Sequence, residues 1–238
     1  MTWRDLVRGL GEVLFPPVCG HCGGLVEGSG YRYLCQECAR RIDFVRPPCC
    51  ETCGHPRYGR GECEHCGGFE PAYGRARSAV LFRGPARSLV AGFGRRGGVH
   101  LIRDAETVFR LSPAVLALAR GAVLVPVPLH PRRRRERGLN PSELLARCLA
   151  NAAGGGARTA ALLRRVADTP PLAALDRESR ERLLKNAFAL ARGCSFTAGL
   201  RYLLVDDVFT TGSTLNSCAR ALRQAGCPSL DVVTFARG

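Results

Sequence analysis

Two adjacent carboxylates, Asp206 and Asp207, follow the apolar run Leu203-Leu204-Val205 and precede Val208-Phe209 and the small polar stretch Thr210-Thr211-Gly212-Ser213-Thr214. This pattern predicts a strand that stops at the acids, then a loop, then a helix from Leu215 to Ala225 with apolar residues at helical spacing. Backbone N–H groups in such a loop, and at the start of the helix behind it, can hold a phosphate. Carboxylates at the carboxyl end of a strand stand where open α/β sheets bind their ligands, and they suit sugar hydroxyls. The two groups together point to a phosphorylated ribose. The loop carries no Lys of the P-loop type, which disfavours ATP hydrolysis.

A second chemical segment is Val125-Pro126-Val127-Pro128-Leu129-His130-Pro131, followed by Arg132, Arg133, Arg134, Arg135, Glu136 and Arg137. The prolines predict the end of a strand and an irregular loop that carries the arginines. Three readings fit: a mobile loop closing over a diphosphate, a landing site for a nucleic-acid backbone, and a solvated basic turn. Gly92-Phe93-Gly94-Arg95-Arg96-Gly97 matches the dinucleotide fingerprint by letter. It ends a predicted helix where that motif needs a strand before it, so it carries no such function.

The third group is cysteine. Eight of 13 cysteines form the Cys-x-x-Cys pairs Cys19/Cys22, Cys35/Cys38, Cys50/Cys53 and Cys63/Cys66. Two such knuckles complete the tetrahedral thiolate shell of a structural Zn²⁺. Four pairs in so short a stretch do not resemble a lone redox dithiol beside a βαβ unit. Zinc is therefore expected, two ions in all. The economical pairing joins the first two pairs and the last two, and a cross-braced pairing stays open. Cys49 falls outside the spacing, and His21, His55 and His65 are extra residues beside complete quartets.

The elements that must position these groups follow from periodicity. Strands are expected over Ser78–Phe82, Ala122–Val127, Tyr202–Val205 and Leu230–Phe235. Helices are expected over Pro85–Phe93, Leu101–Phe109, Pro113 to Arg120, Pro141–Ala152 and Arg177–Leu184. The Arg177–Leu184 segment reads as a capped helix, with Asp176 and Ser179 at its start and an Arg177/Glu181 ion pair. The alternation implies an α/β fold with a mainly parallel sheet flanked by helices. Trp3, Leu6, Val7, Leu10 and Leu14 recur at helical spacing, interrupted by Asp5, Arg8 and Glu12. Positions 1–16 thus read as an amphipathic helix, not a signal peptide, followed by a zinc module at 17–70 and the α/β domain at 73–238. An apolar content of 46% supports a real core, and no apolar run reaches bilayer length. Thiol-rich metal knuckles suit a cytoplasmic protein without membrane insertion. A net charge of +15, all of it arginine except Lys185, favours polyanionic partners and planar phosphate recognition.

The four cysteine pairs, then VPVPLHPRRRRERGLN, then Asp168-Thr169-Pro170-Pro171 with Asn186-Ala187-Phe188, and last LLVDDVFTTGSTL, resemble the ComF family of competence-associated, phosphoribosyltransferase-like proteins in composition and order. The likeness runs from about Leu14 to the C-terminus. It implies a type I phosphoribosyltransferase-like domain behind a double zinc ribbon, and a link to DNA uptake. It further implies binding of phosphoribosyl diphosphate (PRPP) with Mg²⁺. Asp206 and Asp207 would contact the ribose hydroxyls as the catalytic pair. Val208, Thr210, Thr211, Gly212, Ser213 and Thr214 would wrap the 5′-phosphate, with Val127, Pro128 and the arginines near the diphosphate. Transfer to a nitrogen acceptor would make the chain a pentosyl glycosyltransferase. The alternatives are a non-catalytic binder of single-stranded nucleic acid, working with competence-machinery proteins, and a nucleotide-salvage or PRPP-sensing regulator. Thr210 stands where 6-oxopurine salvage members carry an Asp base, which removes that activity. Pro141 and Leu172 stand where relatives tend to carry Gln, so the acceptor side is altered.

Overall fold

The structure, a computed structural model, describes residues 16–57, 63–66, 70–94, 98–168, 177–184 and 186–238. The expected N-terminal helix, Leu172 and the Asp176 cap lie outside these residues, and the Arg177/Glu181 pair concerns side chains that are not described. The elements in order are α1 (Gln36–Arg40), β1 (Ala76–Leu81), α2 (Gly84–Phe93), α3 (Ile102–Arg110), α4 (Pro113–Ala119), β2 (Val123–Pro126), α5 (Pro131–Arg137) and α6 (Pro141–Ala153). Then come β3 (Arg158–Thr159), β4 (Leu163–Arg165), α7 (Arg177–Leu184), β5 (Phe188–Leu190), β6 (Tyr202–Phe209), α8 (Ser213–Gln224) and β7 (Leu230–Arg237).

Five strands form one parallel sheet in the order β1-β7-β6-β2-β3. Parallel strands need crossover connections, and these place helices on both faces, so the central strands read as continuous apolar runs. Side chains alternate across the sheet. Leu203 and Val205 pack with Val233 and Phe235 against the face that α2, α3, α4 and α6 cover. Tyr202 and Leu204 pack with Val232 against Leu184 of α7 and Leu215, Ala219 and Leu222 of α8. Phe235 anchors the first face, edge-on to Phe93 at 5.1 Å and to Phe109 at 5.6 Å. Among the described residues no helix is long and apolar enough to cross a membrane.

Two sequence expectations need correction, and one pair of strands is new. The acidic pair does not end its strand: β6 runs on to Phe209, because β7 still offers a partner, with Asp206 opposite Thr234 and Phe209 opposite Arg237. The arginine segment is a helix, not an irregular loop. Pro131 preorganises its first turn, Gly138 caps it in the left-handed region at φ 79°, and arginine is a good helix former. The small antiparallel pair β4–β5 was not foreseen. Its strands are three residues each and lie 22 residues apart in sequence, too short for a period-2 signal.

Candidate active-site crevice and metal centres

The position of the acids follows from topology. From β2 the chain crosses through α5 and α6 to β3 on one side, whereas from β6 it crosses through α8 to β7 on the other. The direction of winding therefore reverses between β2 and β6, and a crevice opens beyond their carboxyl ends at such a point. Pairing of β2 with β6 stops at Pro126 and Val205, with one further bond from the Val127 N–H to the Val205 carbonyl at 3.0 Å. Asp206 and Asp207 come next on β6, with β7 beside them on one side only.

Both acids are partly buried and adjacent, and burial disfavours their charge. The Asp206 carboxyl is pushed up to about 7, first by burial and then by the charge of Asp207. Its Oδ1 accepts from Ser142 Oγ at 2.7 Å and from the Asp207 N–H at 3.0 Å. Burial also raises Asp207, opposed by the Val208 N–H at 2.7 Å and by the charge of Arg137. The start of α6 stitches the two sides of the crevice together. Asn140 caps this helix, its Nδ2 donates to the Val127 carbonyl at 2.9 Å, and Ser142 of the first turn reaches Asp206. Pro141 between them fills the first helical position, where its missing N–H costs nothing.

Behind the acids, Gly212 turns the chain at φ 80° and α8 starts at Ser213. This conformation favours glycine. Thr211 and Ser213 hydroxyls lie 2.9 Å apart, and the Ser213 N–H points at Thr211 Oγ1 at 3.4 Å. The run Thr210–Thr214 thus sits at a helix N-terminus beside the acids, as the sequence pattern required.

The arginines divide by partner. Arg132 contacts Glu136 at 3.2 Å and Asp168 at 3.5 Å, Arg134 is paired with Glu143, and Arg135 is exposed. Arg137 acts on Asp207, and Arg133 acts on Arg165 of β4. Burial first, and then the like charge of Arg133, lowers the Arg165 pKa, while Asp168 and Asp206 oppose this. The Arg165 guanidinium lies 5.4 Å from the centre of the Phe188 ring. Arg165 was missed in the sequence, as were Asn140, Ser142 and Arg237. Arg237, 3% exposed, donates Nη1 to the carbonyls of Phe209 at 2.9 Å and Thr210 at 3.0 Å. It pins the backbone just before the phosphate-type loop. An Asn-Pro-Ser-Glu helix start was a legible signal for Asn140 and Ser142. Nothing local marked the arginines.

The cysteines form two quartets: Cys19, Cys22, Cys35 and Cys38, and Cys50, Cys53, Cys63 and Cys66. The sequential pairing holds, and the histidines stand outside both. His55 and His65 stack at 3.6 Å, while His21 Nδ1 lies 2.9 Å from Ser88 Oγ of α2. Contacts Cys22–Cys35, Cys50–Cys66 and Cys53–Cys63 are each 3.7 Å between sulfurs. A tetrahedron with Zn–S bonds of about 2.3 Å has edges of about 3.8 Å, so both quartets fit structural zinc. Burial opposes ionisation in both quartets and raises Cys38, Cys53 and Cys66, yet at Cys19 and Cys50 neighbouring backbone N–H groups prevail and bring the thiols down to about 6 and about 7. Thiolate is the form that binds metal.

A double zinc ribbon domain model matches residues 10–67. The DNA utilization protein YhgH of Salmonella typhi is 32% identical over 216 residues, covering 86% of this chain and 90% of that protein. The chain belongs to the ComF family. Competence protein F of Haemophilus influenzae is 29% identical over 92% of this chain and 96% of its own length. Competence protein ComFC of Bacillus subtilis is 27% identical over 81% and 79%. Among solved structures, a Bacillus subtilis glutamine PRPP amidotransferase complexed with ADP and GMP gives a TM-score of 0.37 at 20% identity. That match covers 58% of this chain and 27% of the amidotransferase. In this ComF-family chain both ribbons and the crevice belong to one connected structure. The first ribbon packs on α2 and α3, and the second joins the core of α8.

Proposed function

We propose that the crevice between β2 and β6 binds PRPP with Mg²⁺, and that the chain serves DNA utilization as its relatives' names describe. The observation that carries this reading is the adjacency of Asp206 and Asp207, at the reversal of the winding, to the helix N-terminus at Thr210–Thr214. In this reading the loop amides hold the 5′-phosphate and the acids hold the ribose hydroxyls. Val127, Pro128, Arg133, Arg137 and Arg165 surround the diphosphate. Paired carboxylates are hard oxygen donors suited to Mg²⁺; burial raises both, Asp207 adds its charge at Asp206, and a cation there would favour the ionised pair. Mg²⁺ supplies charge neutralisation for the diphosphate when bound. In a transfer reaction the bond from C1 to the diphosphate oxygen breaks as a bond to the acceptor nitrogen forms. The arginines then stabilise charge on the leaving group. Thr210 supplies no carboxylate base, so proton removal falls to the acceptor's surroundings or to solvent.

Calorimetry with PRPP and Mg²⁺ is the test. Wild type should bind one PRPP per chain, and Asp206→Asn/Asp207→Asn should not. An inert wild type, or an unchanged double variant, overturns the reading. Release of diphosphate with a panel of bases and nucleotides then separates a transferase from a PRPP-sensing protein.

A second reading rests on the exposed part of α5 and the net charge of +15: this helix contacts the backbone of single-stranded DNA. Arg132 and Arg134 are already engaged with acids, which reduces the charge available. Arg132–Arg135→Ala should weaken DNA binding and flatten its salt dependence, and no change in either excludes α5.

A further inference from the structure

Helix α8 starts at the phosphate-type loop, and Asn216, one turn in, belongs to two networks. Its main-chain N–H donates to the Gly212 carbonyl at 2.8 Å, closing the first turn onto the left-handed glycine. Its side chain is 3% exposed and holds a different segment. Oδ1 accepts from the Ala72 N–H at 2.7 Å, and Nδ2 donates to the Glu70 carbonyl at 3.1 Å. Farther along α8, Arg223 Nε donates to the Ala72 carbonyl at 3.1 Å. Glu70 and Ala72 are the exit of the second cysteine quartet, just past Cys66.

The quartet is itself fixed to the α/β domain. The Ala76 N–H donates to the Thr52 carbonyl at 2.9 Å, and Arg77 Nη1 donates to the carbonyls of Cys50 at 3.3 Å and Glu51 at 3.0 Å. Gly54, at φ +68°, leaves no room for a Cβ, which would lie 2.5 Å from the Ala76 carbonyl oxygen. Cys50 and Cys53 share one apolar core with Leu215, Ala219 and Leu222 of α8. The first quartet follows another route. Its contacts run through His21 to Ser88 and through Arg32 and Tyr33 to Asp104.

We infer that Asn216 is a positioning residue through which the second cysteine quartet holds the phosphate loop. Zinc at Cys50, Cys53, Cys63 and Cys66 then sets the geometry of Thr210–Thr214, and zinc at the first quartet does not. The effect on affinity rests on the PRPP reading above, whereas the coupling of quartet to loop does not. If Glu70 and Ala72 shift, Asn216 loses two partners, and the loop spends less time in its binding-competent form. Apparent affinity falls in proportion to that fraction.

The test uses the full zinc-loaded chain and two readouts: hydrogen exchange of the amides at 210–217 without ligand, and calorimetry with PRPP and Mg²⁺. Asn216→Ala and Cys63→Ser should each speed exchange over 213–217 by roughly tenfold and weaken PRPP binding by a similar factor, as expected for loss of a buried partner. Asn216→Asp keeps the acceptor for the Ala72 N–H and should fall between. Cys22→Ser should match wild type in both readouts. So should Ser217→Ala, a change on the same helix as Asn216 that removes the bond from the Ser217 hydroxyl to the Leu184 carbonyl of α7. If exchange stays at the wild-type rate in Asn216→Ala, the coupling is wrong. It is equally wrong if Cys22→Ser or Ser217→Ala loosens the stretch as much, since that is general destabilisation. Should Cys63→Ser fail to fold, the two Asn216 variants decide. Should wild type bind no PRPP, the PRPP reading fails and exchange still decides the coupling.

Discussion

Two carboxyl groups in this molecule, one fully and one partly buried, look alike electrostatically and differ in what they face. Asp104 on α3 is fully buried, and burial raises its pKa. It accepts the N–H groups of Arg32 at 2.6 Å and Tyr33 at 2.9 Å, and so ties the first ribbon to the α/β domain. Asp206 is also raised by burial, but its neighbours are another acid and a crevice at the reversal of the sheet's winding. A raised pKa therefore does not by itself mark a functional site. The geometry separates them: Asp104 is bonded to two backbone N–H groups of the first ribbon, whereas Asp206 stands beside Asp207 just past the end of the β2–β6 pairing.

The largest expected effect tests the anchor. Asp104→Ala leaves two backbone N–H groups without their acceptor and should cost about 2–5 kcal/mol in chemical denaturation, with earlier proteolysis in the first ribbon. A loss below about 1 kcal/mol would mean that Asp104 is not what holds that ribbon. Asp206→Asn should do the opposite in the ligand-free protein. It removes like-charge repulsion with Asp207 yet keeps an Oδ1 acceptor for Ser142, so thermal stability at pH 8 should rise while PRPP binding is lost.

The pH dependence sharpens the contrast. The folded-state pKa of Asp206 is raised above 3.8 to about 7, so between these values the folded chain holds a proton that the unfolded chain releases. The stability this group contributes is therefore fully present at low pH and is lost as pH rises through about 7. The advantage of Asp206→Asn over wild type should shrink between pH 8 and pH 5, and a constant gap would refute the assigned environment. Arg237→Gln should have a moderate effect, because it frees the Phe209 and Thr210 carbonyls: about 1–3 kcal/mol of stability and weaker ligand binding. Smallest of all, Arg132→Ala, whose partners are exposed, should change stability by less than about 1 kcal/mol.

Sequence spacing revealed the site more fully on one side of the crevice than on the other. Asp206–Thr214 lie together in the chain, so strand, loop and helix signals reinforce one another and set the acids just ahead of the helix start, although β6 runs past them to Phe209. Four Cys-x-x-Cys pairs likewise marked two metal quartets, though only the folded geometry chose their pairing. The groups that act on the acids from elsewhere come from distant pieces: Ser142 on α6, which bonds Asp206, Arg165 on β4, whose charge acts on Asp206, and Arg137 on α5, whose charge acts on Asp207. Their convergence is a property of topology, which no local period reports. The helix at Pro131–Arg137 is masked in the sequence by the prolines of Val125-Pro126-Val127-Pro128 just ahead of it, although Pro131 is a helix start and Gly138 a stop. Asp104 gave no signal, since a single acid on an amphipathic helix reads as a solvated position.

The central claim is that the acid pair and the loop behind it hold PRPP. A crystal structure of the chain with Mg²⁺ and PRPP tests this most directly. The account predicts the 5′-phosphate on the amides of Thr210–Thr214 and the ribose hydroxyls on Asp206 and Asp207. PRPP seated elsewhere, on the outer face of α5 or against either ribbon, with the Asp206 crevice unchanged, would contradict it.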